Sequence, residues 1–187
     1  MRAASPRRPG ATVWLTGLSG SGKSSIAAAL ADLLALAGVP HYLLDGDELR
    51  EGLNSDLGFG ARDREENVRR AGEVALLFAR AGQLAIVSLI SPYAAGRKAV
   101  RARHDEAGVA FLEVYVATPL SVCEARDPKG LYARARAGEI PAFTGVSDPY
   151  EPPEAPELVL RTEGRTAADS ARDVLALLSS RRLLAIS

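Results

Sequence analysis

The chain has 187 residues, which against roughly 100–200 residues per domain bounds it to one compact domain with no fused second enzyme inside it. Hydrophobic residues at 47% and charged residues at 25% match folded globular proteins, so a disordered chain and a repeat-rich fibre are both excluded. Lys+Arg and Asp+Glu each total 23, giving a formal charge of zero, so no global basic field exists to hold nucleic acid or an anionic membrane and any basic site must be local.

Taken in chain order, residues 1–10 carry Arg2, Arg7 and Arg8 but no apolar signal-peptide stretch, and read as a flexible leader. Residues 11–16 form an apolar, β-branched strand that ends at a glycine-rich turn, and 23–37 a helix closed by Gly38. A brief strand over 41–44 runs into Asp45-Gly46-Asp47. A long amphipathic helix over 62–81 follows, with Val68, Ala71, Val74, Ala75 and Phe78 on one face and Gly82 at its end. The most continuous apolar run, 84–90, predicts a central strand, 97–107 a charged helix ended by Gly108, and 109–116 a fourth strand before a helix start at Thr118-Pro119.

From 126 to 148 the pattern turns charged, glycine-containing and weakly apolar, the mark of a lid that folds over a ligand instead of joining the core. Pro149, Pro152, Pro153 and Pro156 make a stiff connector to a fifth strand at 158–160, and 166–178 is the closing helix. The tail, 180–187, ends in Leu183-Leu184-Ala185-Ile186 and is expected to dock on the domain. Short apolar runs alternating with helices define an α/β fold, here a P-loop NTPase-type parallel sheet of about five strands flanked by helices, with residues 11–179 as its single domain. No run approaches the ~18 apolar residues of a membrane span, and no nucleic-acid or membrane partner is expected. The lone Cys123 has no disulfide mate, and His41 and His104 are too few and too far apart for a zinc site, which fits a reducing cytoplasm.

Gly17-Leu18-Ser19-Gly20-Ser21-Gly22-Lys23-Ser24 matches G-x-x-x-x-G-K-[ST] between a strand and a helix, the context in which that motif binds phosphate. The backbone N–H groups and the helix amino terminus cradle phosphate oxygens, Lys23 reaches the β- and γ-phosphates, and the Ser24 hydroxyl meets Mg²⁺. Lysine is scarce, with only Lys23, Lys98 and Lys129. Neither of the other two lies in the Asn/Thr-Lys-x-Asp element of guanine-specific proteins.

Asp45 and Asp47 leave the second strand at the carboxyl edge of the sheet, where α/β proteins bind ligands. A carboxylate there can take the proton of an acceptor hydroxyl or orient the metal's water shell. A turn that caps the next helix is the competing use. Arg50, Arg64, Arg69 and Arg70 suit a multiply charged anionic acceptor through bidentate contacts; the alternative is a solvated helix face paired as Glu65–Arg69 and Glu66–Arg70. Phe59 and Phe143 both sit in glycine-containing loops. They can sandwich a purine or plug loops onto the core.

These residues resemble the adenylylsulfate kinases over residues 11–162. The likeness rests on the P-loop block opening at Trp14-Leu15-Thr16, Leu44-Asp45-Gly46-Asp47, Gly52-Leu53-Asn54 with Asp56-Leu57-Gly58-Phe59, Asp63-Arg64 with Glu66-Asn67-Val68-Arg69-Arg70, Ile90-Ser91-Pro92-Tyr93, the run from Cys123 to Tyr132, and Phe143-Thr144-Gly145. The resemblance implies a kinase that moves the γ-phosphate of ATP to the 3′-hydroxyl of adenosine 5′-phosphosulfate, with Mg²⁺ accompanying the ATP co-substrate, as a step of sulfate assimilation. It implies Asp47 as base, Lys23 as γ-phosphate stabiliser, and Ser24, with Asp45, as metal ligands. Ser91 falls where family members carry a phosphoserine; since direct transfer needs no covalent intermediate, it is assigned to hydrogen bonding at the substrate. Arg50, Arg64, Asn67, Ile90, Lys129 and Phe143 match acceptor-binding positions, Asp45 and Asp47 adjoin them, and Phe59 completes the sandwich. Ser25 extends the ATP site, and Arg126 falls where the lid approaches adenine. A homodimer and functional coupling to an ATP sulfurylase are the partner expectations it raises.

The chain departs from the family pattern at Ser25 (usually Thr), Glu48 (usually Asn) and Ala117 (commonly Asp). Glu48 adds negative charge beside Asp47 and is the one support for a different small hydroxyl acceptor, a nucleoside or sugar acid. A regulatory P-loop protein with no acceptor is the rival of another class; the paired phenylalanines and Asp-Gly-Asp argue against it. Cys123 reads as structural.

Overall fold

The computed structural model describes residues 10–184, so the leader reading for 1–9 and the last three residues of the tail lie outside the described residues. Five strands, β1 (Ala11–Thr16), β2 (His41–Asp45), β3 (Leu84–Ser88), β4 (Ala110–Val116) and β5 (Leu158–Leu160), form one all-parallel sheet in the order β2-β3-β1-β4-β5. Around it lie α1 (Lys23–Leu36), α2 (Gly46–Glu51), α3 (Ala61–Arg80), α4 (Ala94–Glu106), α5 (Leu120–Arg126), α6 (Leu131–Arg136) and α7 (Ala167–Ser180). Among the described residues, no helix is long and apolar enough to cross a membrane.

Every residue of β1 and β3 is buried, because helices cover both faces of a parallel sheet; this is why both strands read as continuous apolar runs. The central position belongs to β1, with β3 beside it. Side chains alternate across β1. Val13 and Leu15 face a core with Ile26, Leu30 and Leu34 of α1 and Val174 and Leu178 of α7. Trp14 faces the other core, with Val68 and Ala75 of α3, Val100 of α4 and Phe111. At Gly72 a Cβ would stand 2.7 Å from Val100 Cγ2, so α3 and α4 approach more closely there than a side chain permits.

Three features of the sequence reading change. Helix α4 begins three residues before Arg97, because the Glu151 carboxylate accepts the Ala94 N–H at 2.7 Å, a cap supplied from far along the chain. The 126–148 segment is not simply weakly apolar. It contains α6, whose first N–H groups at Tyr132 and Ala133 are met by the Asp127 carboxylate at 3.1 and 3.0 Å, and its Tyr132, Ala135 and Phe143 form a small core together with Cys123 of α5. Gly10, assigned to the leader, donates to the Ala79 carbonyl at 2.8 Å, while Leu183 and Leu184 of the tail pack against the α1–α7 core.

His104 is fully buried between α4 and β1. Its Nδ1 lies 2.9 Å from the Val100 carbonyl, which can only accept, so Nδ1 carries the proton and Nε2 accepts from the Thr12 hydroxyl at 2.9 Å. Burial lowers its pKa from 6.5, against a smaller upward pull from Val100. The folded state therefore prefers the neutral ring, and its contribution to stability is present above the unfolded value and lost as pH falls below it. Urea unfolding should show a midpoint that drops between about pH 7.5 and about pH 5.5, and His104→Gln should flatten that dependence whatever its stability at neutral pH.

Candidate active site

The turn from β1 into α1 is shaped by its glycines. At Gly17, φ is 151° and a Cβ would lie 2.6 Å from the Val116 carbonyl oxygen, so no other residue fits between β1 and β4. Gly22 caps α1 with φ 104°, and neither a side-chain cap nor an acidic residue occupies the first turn, so the N–H groups of a 14-residue helix are left for an outside anion. Lys23 bends back over the loop and donates to the carbonyls of Gly17 at 2.9 Å and Leu18 at 2.7 Å. Ser24 donates to Asp45 Oδ2 at 2.7 Å, with Ser88 Oγ 3.3 Å away. On the other flank Arg126 reaches Thr162 Oγ1 at 3.1 Å and the Ser21 carbonyl at 3.4 Å; the latter also accepts from Thr118 at 2.8 Å.

The P-loop opens into a cleft of about 980 Å³. Of the predicted site residues, Ser19, Gly20, Gly22, Lys23, Ser24, Ser25 and Arg126 of the ATP set and Asp45, Asp47, Arg50, Phe59, Arg64, Asn67, Ile90, Ser91, Lys129 and Phe143 of the acceptor set line it. Gly17, Leu18 and Ser21 support the loop from behind, outside the lining.

Asp45 makes the turn's helix cap, its Oδ1 accepting the Asp47 N–H at 3.0 Å, while Oδ2 accepts from Ser24 at 2.7 Å and faces the cleft. Asp47 is exposed and pairs with Lys129. Arg50 donates to the carbonyls of Leu57 and Gly58, both at 3.1 Å, and its guanidinium lies 4.3 Å over the ring of Phe59, which is 65% exposed. Phe143 is instead nearly buried, edge-on to Tyr132 with ring centroids 5.0 Å apart. The two phenylalanines are therefore unlike, one an exposed ring with Arg50 over one face and the other largely buried against Tyr132.

Arg64 is committed to the protein. Its Nε donates to the Phe59 carbonyl at 2.8 Å, Nη1 to Asp148 at 2.9 Å and to Thr144, and Nη2 to the Ala142 carbonyl. A guanidinium has five N–H donors, so one remains for a ligand and the expected bidentate contact is not available in this arrangement. Arg69 and Arg70 both pair with Glu66, and Arg70 also takes Asp56 through both Nη atoms; the anticipated Glu65–Arg69 pair does not form. Asn67 accepts on Oδ1 from Asn54 at 2.7 Å, which leaves its own NH₂ available. The Ile90 carbonyl accepts from Thr16 at 2.7 Å. Ser91, in the left-handed region with φ 41°, is 97% shielded, and its hydroxyl accepts from Trp14 Nε1 at 3.0 Å and donates to Leu89 at 3.4 Å. Only one lone pair is left for a substrate, a narrower role than the sequence reading gave it.

A family model described as adenylylsulphate kinase matches residues 9–161. The chain belongs to the adenylylsulphate kinase family. The Saccharomyces cerevisiae adenylyl-sulfate kinase is 51% identical over 183 residues, covering 98% of this chain and 91% of that one. The Arabidopsis thaliana adenylyl-sulfate kinase 1, chloroplastic, is 58% identical over 158 residues, covering 84% of this chain and 56% of that one. Among solved structures, the Mycobacterium tuberculosis APS kinase CysC, in complex with AMPPNP and APS, superimposes with a TM-score of 0.89 at 52% identity, covering 91% of this chain and 98% of that chain.

For an ATP-dependent kinase of this family the state of Lys23 is decisive. Desolvation lowers its pKa to about 8, against smaller upward pulls from Cys123, Asp45 and Asp47. Site contacts that sequence reasoning missed all come from elsewhere in the chain: Thr118 and Thr162 beneath the P-loop, Tyr93 and Asp148 beside Arg64, Trp14 on Ser91. Thr144, Tyr93 and Trp14 stood inside recognised blocks, whereas nothing marked Asp148.

Phosphate oxygens placed on Lys23 favour its charged form and raise its pKa, so nucleotide binding at about pH 8 should take up a fraction of a proton. Calorimetry in two buffers of different ionisation enthalpy checks this, and Lys23→Met should abolish the uptake.

Proposed function

We propose that this chain transfers the γ-phosphoryl group of ATP to the 3′-hydroxyl of adenosine 5′-phosphosulfate, giving 3′-phosphoadenylyl sulfate and ADP. The observation that carries the reading is the convergence, on one cleft, of an anion-seeking helix terminus, an exposed carboxylate and an arginine-rich aromatic side. The names of the relatives, and the AMPPNP and APS bound in the Mycobacterium tuberculosis structure, support the substrate pair.

In this reading the P-loop N–H groups and Lys23 hold the phosphates. Asp47 accepts the proton of the 3′-hydroxyl as that oxygen attacks phosphorus in line and the β–γ bridging oxygen leaves with ADP. Lys129 pairs with Asp47 and holds the carboxylate at the cleft. Arg50, Asn67 and the free N–H of Arg64 bind the acceptor, and Phe59 supplies the open face on which its adenine stacks. Segment 126–148 is the lid, and it excludes water that would otherwise turn transfer into hydrolysis.

Mg²⁺ fits the residues present: the Ser24 hydroxyl stands against a carboxylate that can order metal-bound water. Among the described residues there is no cluster of three His, Cys, Asp or Glu side chains, as befits an ion held mainly by phosphates and water. When bound it supplies charge neutralisation across the β- and γ-phosphates. The single buried thiol of Cys123 fits the cytoplasm as its location.

Release of ADP from MgATP should depend on added adenylyl sulfate and yield a new 3′-phosphate; acceptor-independent hydrolysis alone would overturn the substrate assignment. Asp47→Asn should lower kcat by about 10²–10⁴-fold while nucleotide binding persists. Phe59→Ala should weaken acceptor binding by about 1–3 kcal/mol with an unchanged melting temperature, because the ring is exposed. Phe143→Ala should lower the melting temperature as well, because that ring is packed against Tyr132.

A further inference from the structure

We infer that Asp148 is a positioning residue for the acceptor side of the cleft, acting through Arg64; this rests on the reading that Arg64 meets the anionic acceptor. One oxygen of Asp148, Oδ2, accepts from Arg64 Nη1 at 2.9 Å and from the Tyr93 hydroxyl at 2.8 Å. Arg64 lies near the start of α3, Tyr93 caps α4, and Asp148 ends segment 126–148, so a single atom joins three stretches of chain that sequence keeps apart. Asp148 itself is fixed by its backbone, with its N–H on the Phe143 carbonyl at 3.1 Å and its carbonyl accepting from Gly145 at 2.7 Å.

The remaining acceptors on the Arg64 guanidinium, Phe59 O, Thr144 Oγ1 and Ala142 O, are neutral. Among the described residues, Asp148 is the one anion paired with Arg64. Charge-assisted bonds are roughly twice as strong as neutral ones. The two side chains are 11% and 20% exposed, so water screens this pair less than it does the surface pairs of the molecule. Burial, and then the bond to Asp148, push the Tyr93 phenol above its ordinary pKa, so it stays a donor. Asp148 thus holds the guanidinium in one orientation before the acceptor arrives and leaves one N–H for it. Without that anion, the arginine must be ordered at the moment of binding, and acceptor affinity falls.

The test is steady-state kinetics on the full chain with adenylyl sulfate and MgATP. Asp148→Ala should raise KM for adenylyl sulfate about tenfold, with KM for ATP and kcat close to wild type. Asp148→Asn, which keeps an acceptor oxygen and the shape, should fall between wild type and Asp148→Ala. It carries the same test if the alanine variant does not fold. Arg64→Ala combined with Asp148→Ala should be no worse than Arg64→Ala alone, since one residue acts through the other. Wild-type acceptor KM in both Asp148 variants, or additive losses in the double variant, overturn the positioning role and leave the substrate reading standing. An unmoved acceptor KM in Arg64→Ala overturns both the positioning role and the placing of Arg64 on the acceptor.

Discussion

The amino terminus of α1 is the constraint around which the site is organised. Four backbone N–H groups at the start of an α-helix have no partner within it, and α1 supplies neither a capping side chain nor an acid in its first turn. The glycines before it hold backbone conformations closed to other residues, and Gly17 is pressed against the β4 carbonyl edge. Lys23, desolvated and bent over the loop carbonyls, adds a cation whose charge is costly to keep without an anion. Each feature is unfavourable alone. Together they are answered by one ligand class, a polyphosphate, and this is how a local sequence motif becomes a nucleotide site.

The opposite wall obeys a different rule. The turn after β3, which carries Ile90 and Ser91, is strained at Ser91 and is fixed from beneath by Arg97, a buried arginine that binds the Glu113 carboxylate at 2.7 Å, the Ser91 carbonyl at 2.6 Å and the Glu151 carbonyl at 2.7 Å. Breaking such a buried charge network leaves an uncompensated ion and costs several kcal/mol, typically about 3–5. Thr16 and Tyr150 close the same network, since the Thr16 hydroxyl donates to Ile90 and lies 2.9 Å from the Tyr150 hydroxyl. The proline-rich connector is thus more than a spacer: its Glu151, Glu154 and Glu157 meet Ala94, Lys98 and Arg101 along α4.

What could be read from the residues alone follows from this contrast. Strands β1 and β3 were legible because burial on both faces forces unbroken apolar runs, and the P-loop because its geometry is set by neighbours in sequence. The pairing of Lys129 with Asp47, of Thr144 with Arg64 and of Glu151 with Ala94 was not legible. Those partners stand 82, 80 and 57 positions apart, and only the folded chain brings them together. The covering of Phe143 was hidden for the same reason. Its loop context is polar and glycine-containing, yet α6 delivers Tyr132 to cover it. Arg69 paired with Glu66 instead of Glu65 because Glu66 also reaches Arg70, and one carboxylate serves both.

The two ends of the cleft therefore differ in what they require of segment 126–148. The phosphate end is made mostly of backbone on β1 and α1, and of that segment it draws on Arg126, at the end of α5, and on Tyr132, whose hydroxyl donates to the Ser19 carbonyl at 2.9 Å. At the acceptor end, Lys129 stands on Asp47, Thr144 and Asp148 on Arg64, and Phe143 on the cleft wall. Under the proposed function, acceptor affinity and the segment's closure are one equilibrium. Ion pairs as exposed as Lys129–Asp47 contribute little to stability, so the acceptor can replace that contact at small cost. The more enclosed Arg64–Asp148 pair stays in place as the fixed side of the closure. A kinase that must not hydrolyse ATP is served by this division, because the wall that excludes water is completed by the acceptor that water would otherwise replace.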